Sequence, residues 1–588
     1  MQSRLVCIAS FIALGCALLA PPASADWPSN PSLNLPVCTA PQNQNAVVNL
    51  VTDLAGGALI SWTDSRAGDT DIYAQHVLAS GGVDPAWPIN GSVVCAAANL
   101  QFLPVQLSDG AGGAIIAWFD NRATGSVTEW DLYMGHLLAN GTMDPAWPVN
   151  GLAVSTAPGA ISSLALLIGD GAGGALIAWN DTQNDTNVFA MHVLASGVND
   201  PAWPVNGLTV CNAAHAQTSL STLSDAHGGM LISWTDFRPG GQSDIYMQRV
   251  QANGTLAPGW PANGLAVCAL PSSQQTASMA ADGAGGAIVT WQDARSGTLD
   301  VYAQHVRSNG TLDPAWPIDG LLVAGGPGNQ MFARTQSDGG TGVITVWRDT
   351  RDQLTTGLDL YAQHVLAAGS VDPSWPSSGL AVCTVVGNQQ NQDLVPDGTG
   401  GAIVCWEDLR NGVEDVYSQH LLASGSVDPV WPVNGRAIST ALGPQSAPRA
   451  LADGSGGAIL AWPDTRVSSV NSDIYAQRVQ ANGTLGGTVV SVPHEAGTGL
   501  ELSPPSPNPW RAGALVVRFT TADEQDGTLE LVDLAGRRIL TRTFTGVGPG
   551  LHEVRLPPAR LPTGLYFVTL RQGDRGSESR TAPVVVLH

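Results

Sequence analysis

One phrase, repeated eight times, limits what this chain can become more than any other feature. It runs Asp-Gly-x-Gly-Gly, a hydrophobic stretch ending in Trp, x-Asp-x-Arg, Asp-Ile-Tyr-Ala-Gln-His-Val and Trp-Pro-x-Asn-Gly. Its first tryptophan falls at Trp62, Trp118, Trp179, Trp234, Trp291, Trp347, Trp406 and Trp462, at spacings of 55 to 61 residues. Segments such as Ala58-Leu59-Ile60-Ser61-Trp62 are short, apolar and entered through a glycine pair. Asp71-Ile72-Tyr73-Ala74-Gln75-His76-Val77 alternates β-forming residues with period two, and Asp-Gly and Asn-Gly pairs supply turns. Helical periodicity is absent. Three or four strands in about 56 residues is the content of one propeller blade.

A second tryptophan series is offset from the first. It runs Trp27, Trp87, Trp147, Trp203, Trp260, Trp316, Trp375 and Trp431, so the first Trp-Pro stands alone near the N-terminus and the last repeat has none. One repeat is thus split between the two ends. A linear stack has no reason for that. A ring does, because the N-terminal segment can complete the last blade and leave no open sheet edge. Thr488–Val492 is the competing candidate for that last strand.

The expected fold class is all-β: an eight-bladed β-propeller over residues 26–495, closed by the N-terminal segment, a linker at 496–505, and a small Ig-like β-sandwich at 506–588. Residues 1–25 read as a signal peptide, with Arg4, an apolar run from Val6 to Ala20, and Ala23-Ser24-Ala25 as the cleavage site before Asp26. No other run is long enough to span a bilayer. All basic residues are arginine, and the net charge of -23 disfavours nucleic acid and anionic lipid as partners. Cys38, Cys95, Cys211, Cys268 and Cys383 occupy equivalent repeat positions and read as buried thiols. Cys405 lies on another strand, which leaves a Cys383–Cys405 bridge open.

The tail carries Ser506-Pro507-Asn508-Pro509-Trp510, Asp533-Leu534-Ala535-Gly536-Arg537, Leu561-Pro562-Thr563-Gly564-Leu565-Tyr566-Phe567 and a terminal valine-rich strand. In order and position these resemble the C-terminal sorting domain of the bacterial type IX secretion system and the related FlgD-like immunoglobulin-like tail. Strands are expected from Ala514 to Phe519, Thr528 to Asp533, Leu551 to Leu556, Gly564 to Leu570 and Ala582 to Leu587. The resemblance implies recognition by outer-membrane secretion machinery and delivery to the outside or the outer-membrane surface of a Gram-negative-type bacterium.

Repetition itself weighs against chemistry in the repeated residues, since a catalytic site needs different groups converging at one place. The Asp/Arg pairs at Asp64/Arg66, Asp120/Arg122, Asp236/Arg238, Asp293/Arg295, Asp349/Arg351, Asp408/Arg410 and Asp464/Arg466 read as fasteners between blades or turn caps. The third repeat departs from the pattern, with Asp181 and Gln183. Asp71, Asp131, Asp244, Asp300, Asp359, Asp415 and Asp473 read as turn caps, with Ca²⁺ ligation the lesser alternative. His76, His136, His192, His305, His364 and His420 align with Arg249 and Arg478, an exchange unsuited to a metal ligand or general base. The first tryptophans read as core. The second series, flanked by Pro and Asn-Gly, is expected to be partly exposed and could stack on sugars.

No catalytic, cofactor-binding or metal-ligating residue is assigned. Nucleophile-elbow, phosphate-loop and dinucleotide motifs are absent, as are the Asp box of sialidases and the docking motif of the eight-bladed quinone dehydrogenases. The expected function is a non-enzymatic surface or secreted propeller for adhesion, binding an extracellular protein or glycan. The alternative is a secreted polysaccharide hydrolase or lyase. The discriminating residues are those that break the repeat: Glu129-Trp130, Gln183-Asn184-Asp185, His215, His227, Arg334, Arg348 and Glu407. Clustering at one channel mouth favours an enzyme; scatter favours a binder or scaffold.

Overall fold

The computed structural model describes residues 26–486, apart from 158–160, 162–165, 183–184 and 239–240, and most of 501–586. Residues 1–25, expected as a signal peptide, and Gln183-Asn184, Thr488–Val492 and Ser506–Trp510 lie outside the described residues.

Eight antiparallel sheets follow the eight repeats. Blade 1 has four strands, Gln44–Thr52, Ala58–Asp64, Asp71–Val77 and Ser92–Cys95, paired in chain order. Blades 2 to 7 repeat this arrangement, and three of them add a two-residue strand. The first strand of each blade packs against the first strands of its neighbours and so lines the central channel. The second strand is a continuous apolar run, because neighbouring blades cover both its faces. Ala58–Asp64, Ala114–Asp120 and Ala402–Asp408 are buried at every position.

The chain closes through its ends. Blade 8 consists of Arg449–Ala452, Ala458–Asp464 and Asp473–Val479, and its fourth strand is the N-terminal segment Leu35–Cys38. Leu35 pairs with Ala476 and Cys38 with Ile474. The joint between blades 8 and 1 has the same chemistry as the others. Gln44 N donates to Ser472 O at 2.8 Å, as Gln101 N does to Thr70 O and Gln274 N to Ser243 O. The core at this joint mixes Ile60 and Trp62 of blade 1 with Ile459 and Ala476 of blade 8.

The tail is a second compact unit. A three-stranded sheet (Glu501–Leu502, Leu515–Thr521, Gly550–Leu556) and a four-stranded one (Arg538–Val547, Gln525–Asp533, Gly564–Gln572, Glu578–Val586) share one apolar core. Phe519, Leu531, Val568 and Val584 are buried in it. The sequence reading missed Arg538–Val547. This is an edge strand whose apolar residues Ile539 and Leu540 are followed by a polar run, so its alternation is weak.

Candidate functional site

The repeated charges are spent on architecture. Asp64 is fully buried and accepts from Trp62 Nε1 at 2.8 Å and from Arg66 Nε and Nη2 at 2.8 and 2.5 Å. Arg66 Nη2 also donates to Asn90 O at 2.8 Å and reaches Cys38 Sγ, on the preceding blade, at 3.1 Å. Its guanidinium lies over the Tyr73 ring at 4.0 Å. Blades 2, 4, 5 and 7 repeat this fastening through Arg122, Arg238, Arg295 and Arg410. The thiols it touches are inert. Burial pushes Cys38, Cys95, Cys268 and Cys383 up to about 12. Cys383 and Cys405 are both free, so no bridge joins them.

The histidines are braces at the opposite end of each blade. His76 sits with Nδ1 2.9 Å from Asp84 and Nε2 3.0 Å from Asp53, whose other oxygen accepts from the Ala55 and Gly57 amides. Two carboxylate neighbours suit a ring that donates from both nitrogens, the imidazolium. Where arginine replaces histidine, Arg249 and Arg478 reach Asp225 and Asp453 in the same way.

The structure corrects two expectations. The second tryptophan series is not exposed: Trp27, Trp87 and Trp431 are 2–4 % accessible. Each indole sits beneath a turn of the next blade; Trp87 Nε1 donates to Ala139 O at 3.2 Å, and its ring packs on Gly141, where a Cβ would come within 2.7 Å. No sugar platform exists there. The aspartates of Asp-Ile-Tyr cap turns only in part. Asp359 accepts from Thr356 and Asp415 from Asn411, but Asp71 and Asp244 receive no such donor. Desolvation first, then the charge of Asp64 or Asp236, pushes Asp71 and Asp244 up to about 6.

The irregular chemistry gathers at the end of the channel where the inner strands begin. The inner strands of blades 1, 2 and 4 to 7 carry a bulge shortly after the first residue, as between Gln275 and Ser278, Met331 and Arg334, and Gln390 and Asp393. The bulged residue is left-handed: φ is 56° at Thr276, 54° at Phe332, 53° at Asn391 and 45° at Ala447. Such backbone is unfavourable for side chains like Phe and Thr, and it re-aims the residues around it.

In blades 5 to 8 these bulges frame a cavity of about 150 Å³, lined among others by Ser278, Phe332, Arg334, Arg348, Asn391 and Arg449. Arg348 Nε donates to Gln392 Oε1 at 2.9 Å and Nη2 to Asn391 Oδ1 at 3.1 Å. Its guanidinium lies 4.6 Å from the centre of the Phe332 ring, which is 42 % exposed. Glu407 is buried and holds the bulges in place. It accepts from Gln390 at 2.5 Å, from Asn391 at 2.9 Å and from the Ala447 amide at 3.0 Å. Enclosure in the channel, reinforced by the nearby Arg449, draws the Arg334 guanidinium below its usual range.

Three of the repeat-breaking residues, Arg334, Arg348 and Glu407, therefore converge. Trp130, Asp185, His215 and His227 do not join them. Trp130 packs on Phe102 of blade 2, with ring centres 4.3 Å apart. Asp185 accepts from the His215 amide at 3.0 Å in a loop pair of blades 3 and 4. His227 lies in an inner-strand turn at the other end of the channel. Sequence reasoning missed Phe332, Asn391, Gln392 and Arg449. Among the described residues, no group of three or more His, Cys, Asp or Glu is arranged to hold a metal ion.

No family model matches the chain, and no curated protein matches it. Solved structures that resemble it include a polysaccharide lyase of family PL25, an ulvan lyase bound to a saccharide, at 10% identity and TM-score 0.39, covering 78% of this chain and 98% of that one. An α-L-arabinanase of Penicillium chrysogenum complexed with arabinobiose matches at 9% identity and TM-score 0.34, over 77% and 99% of the two chains. A Dyadobacter fermentans protein of unknown function matches at 9% and 0.34, over 76% and 98%. Likeness at this level says nothing of what this chain binds.

Proposed function

We propose that this protein is an exported binding propeller whose ligand, a glycan or an extracellular protein, seats at the channel mouth formed by blades 5 to 8. The observation that carries this reading is the convergence of Arg334, Arg348 and Phe332 from blade 6 with Asn391 from blade 7, in a molecule whose repeated arginines of the x-Asp-x-Arg phrase are paired with aspartate. Pockets that bind small ligands combine an apolar surface with a few convergent polar groups, and this mouth has both. The tail serves delivery: its sequence marks support recognition by outer-membrane secretion machinery.

The same convergence favours a second reading, a polysaccharide hydrolase or lyase. Against it stands the use made of Glu407, whose two oxygens are occupied by three donors, and of Asp393, which accepts from the Ala450 amide at 3.1 Å. Glycoside hydrolysis calls for two carboxyl groups free to meet the substrate.

A glycan and protein array probed with the full chain, with and without Ca²⁺, tests the binding reading. Ligands retained by the wild type and lost by the Phe332→Ala/Asn391→Ala variant are expected. Equal retention by both would remove the mouth from the account. Incubation with polysaccharides that releases new reducing ends or unsaturated products would favour the enzyme. Deletion of residues 500–588 is expected to trap the protein in the periplasm; normal surface delivery would contradict the role given to the tail.

A further inference from the structure

The channel mouth selects a charge class as well as a place, an inference that rests on the binding reading above. Arg334 and Arg449 stand at equivalent positions of blades 6 and 8, directly after the bulges, opposite Val346 and Ala461 of their second strands. Both line the cavity, and Arg334 is open to the channel. Neither guanidinium makes a hydrogen bond or ion pair with any described protein group. This sets them apart from Arg66, Arg122, Arg238, Arg295, Arg351, Arg410 and Arg466, all held by an aspartate at 2.5–2.6 Å.

The carboxylate on the blade between them does not fill the role. Asp393 accepts from the Ala450 amide; its charge acts on Arg334 from a distance, but it forms no direct ion pair with either arginine. Glu407 is committed to the bulges. The mouth therefore gathers three arginines, Arg334, Arg348 and Arg449, around two carboxylates, in a protein of net charge -23. Unpaired guanidinium groups enclosed side by side repel one another, and a shared oxyanion relieves that repulsion with forked hydrogen bonds. Beside them the exposed ring of Phe332 offers a flat apolar surface whose other neighbour is Arg348. A cavity of about 150 Å³ fits one small ring, well below the size of a drug-like pocket.

We infer that this mouth binds a saccharide unit bearing an oxyanion, with the anionic group between Arg334 and Arg449 and an apolar sugar face against Phe332. Carboxylated and sulfated sugars share this chemistry. The surrounding acidic protein repels long polyanions, so a chain end or a short oligomer enters more readily than the middle of a densely charged polymer.

Calorimetric titration of the full chain with a galacturonate oligomer, a sulfated galactan oligomer and a neutral galacto-oligosaccharide tests this. At least one anionic probe is expected to bind and the neutral one not. The Arg334→Gln/Arg449→Gln variant, with unchanged melting temperature, is expected to lose tenfold or more in affinity, and added salt to weaken wild-type binding. Binding of carboxylate but not sulfate, or the reverse, identifies the source of the oxyanion within the inference. Failure of both anionic probes, or equal binding by the double variant, overturns it. A neutral probe that binds and is lost in Phe332→Ala also overturns it, while leaving the mouth as the binding place; a ligand indifferent to Phe332→Ala and to the arginines would contradict both.

Discussion

Gln44 N donates to the Ser472 carbonyl at 2.8 Å, joining two residues 428 positions apart in the chain. Ser472 returns the contact through its hydroxyl, 2.6 Å from Gln44 O. Ring closure is thus a set of ordinary inter-blade bonds made by the two ends of one polypeptide. Closure of the ring then depends on the N-terminal segment that carries Leu35–Cys38.

Trp27 belongs to that segment. It is 2 % exposed and donates to Ala79 O at 3.1 Å, as Trp87 donates to Ala139 O. Trp27→Ala is expected to destabilise the propeller by about 3–5 kcal/mol, the usual cost of emptying a buried aromatic site. Trp87→Ala should cost about the same. Equilibrium unfolding in denaturant checks it; a near-zero effect for Trp27 alone would mean a loosely attached terminus.

Arg66→Ala leaves the buried carboxylate of Asp64 with the Trp62 indole, the backbone amide of residue 66 and the weakly donating Cys38 thiol as donors. A loss of about 3–5 kcal/mol is expected, because breaking a buried pair strands the other charge. Arg66→Lys should recover little, since an ammonium cannot reach Asp64, Asn90 O and the Tyr73 face together. The same denaturation measurement separates the three proteins.

How legible this architecture is depends on whether its cause is local. Strand positions follow from apolar runs and turns, and the offset of Trp27 from Trp62 exposes closure because it breaks a translation that a ring restores. The bulges are not legible. Leu103, Ser219, Thr276, Phe332, Asn391 and Ala447 share a left-handed backbone but no residue type, since the bulge is set by pairing two residues against one. Arg334, Arg348 and Glu407 stand out as breaks in the repeat. Phe332 and Arg449 escape notice because the inner strands vary from blade to blade. Burial of Trp87 depends on Gly141 in the next blade, which no local pattern encodes.

The histidine braces give stability a pH dependence. Burial disfavours the charged ring of His76 and of His305, but their paired carboxylates outweigh it and raise both above 6.5. A raised folded value means that the bonus is complete below pH 6.5 and fades as pH climbs through that value. The partners Asp53 and Asp282 also face burial, overcome by their hydrogen bonds, and are lowered; their contribution is lost as pH falls below 3.8. The melting-temperature gap between wild type and His76→Gln/His305→Gln is therefore expected to narrow from pH 6 to pH 9. A constant gap would show that the folded rings titrate as the unfolded ones do, against the raised values.

The Asp-Ile-Tyr aspartates act with the opposite sign. Desolvation leads the shift that takes Asp71, Asp244, Asp359 and Asp473 up to about 6. The folded state therefore holds these protons more tightly than the unfolded one, and the resulting penalty grows as pH rises from 3.8 to about 6. Replacing all four by Asn is expected to raise the melting temperature by a few degrees at pH 7 and to change it little at pH 4. An equal change at both values would contradict the burial argument.

The closed ring is most directly tested by amide hydrogen exchange over Leu35–Cys38. In the ring these residues form the fourth strand of blade 8, and Leu35 and Cys38 are paired with Ala476 and Ile474. Protection is expected to match that of Ser92–Cys95, the equivalent strand of blade 1, and to vanish only with global unfolding. Exchange of Leu35–Cys38 within seconds under native conditions, while Ser92–Cys95 stays protected, would show that the ends do not meet.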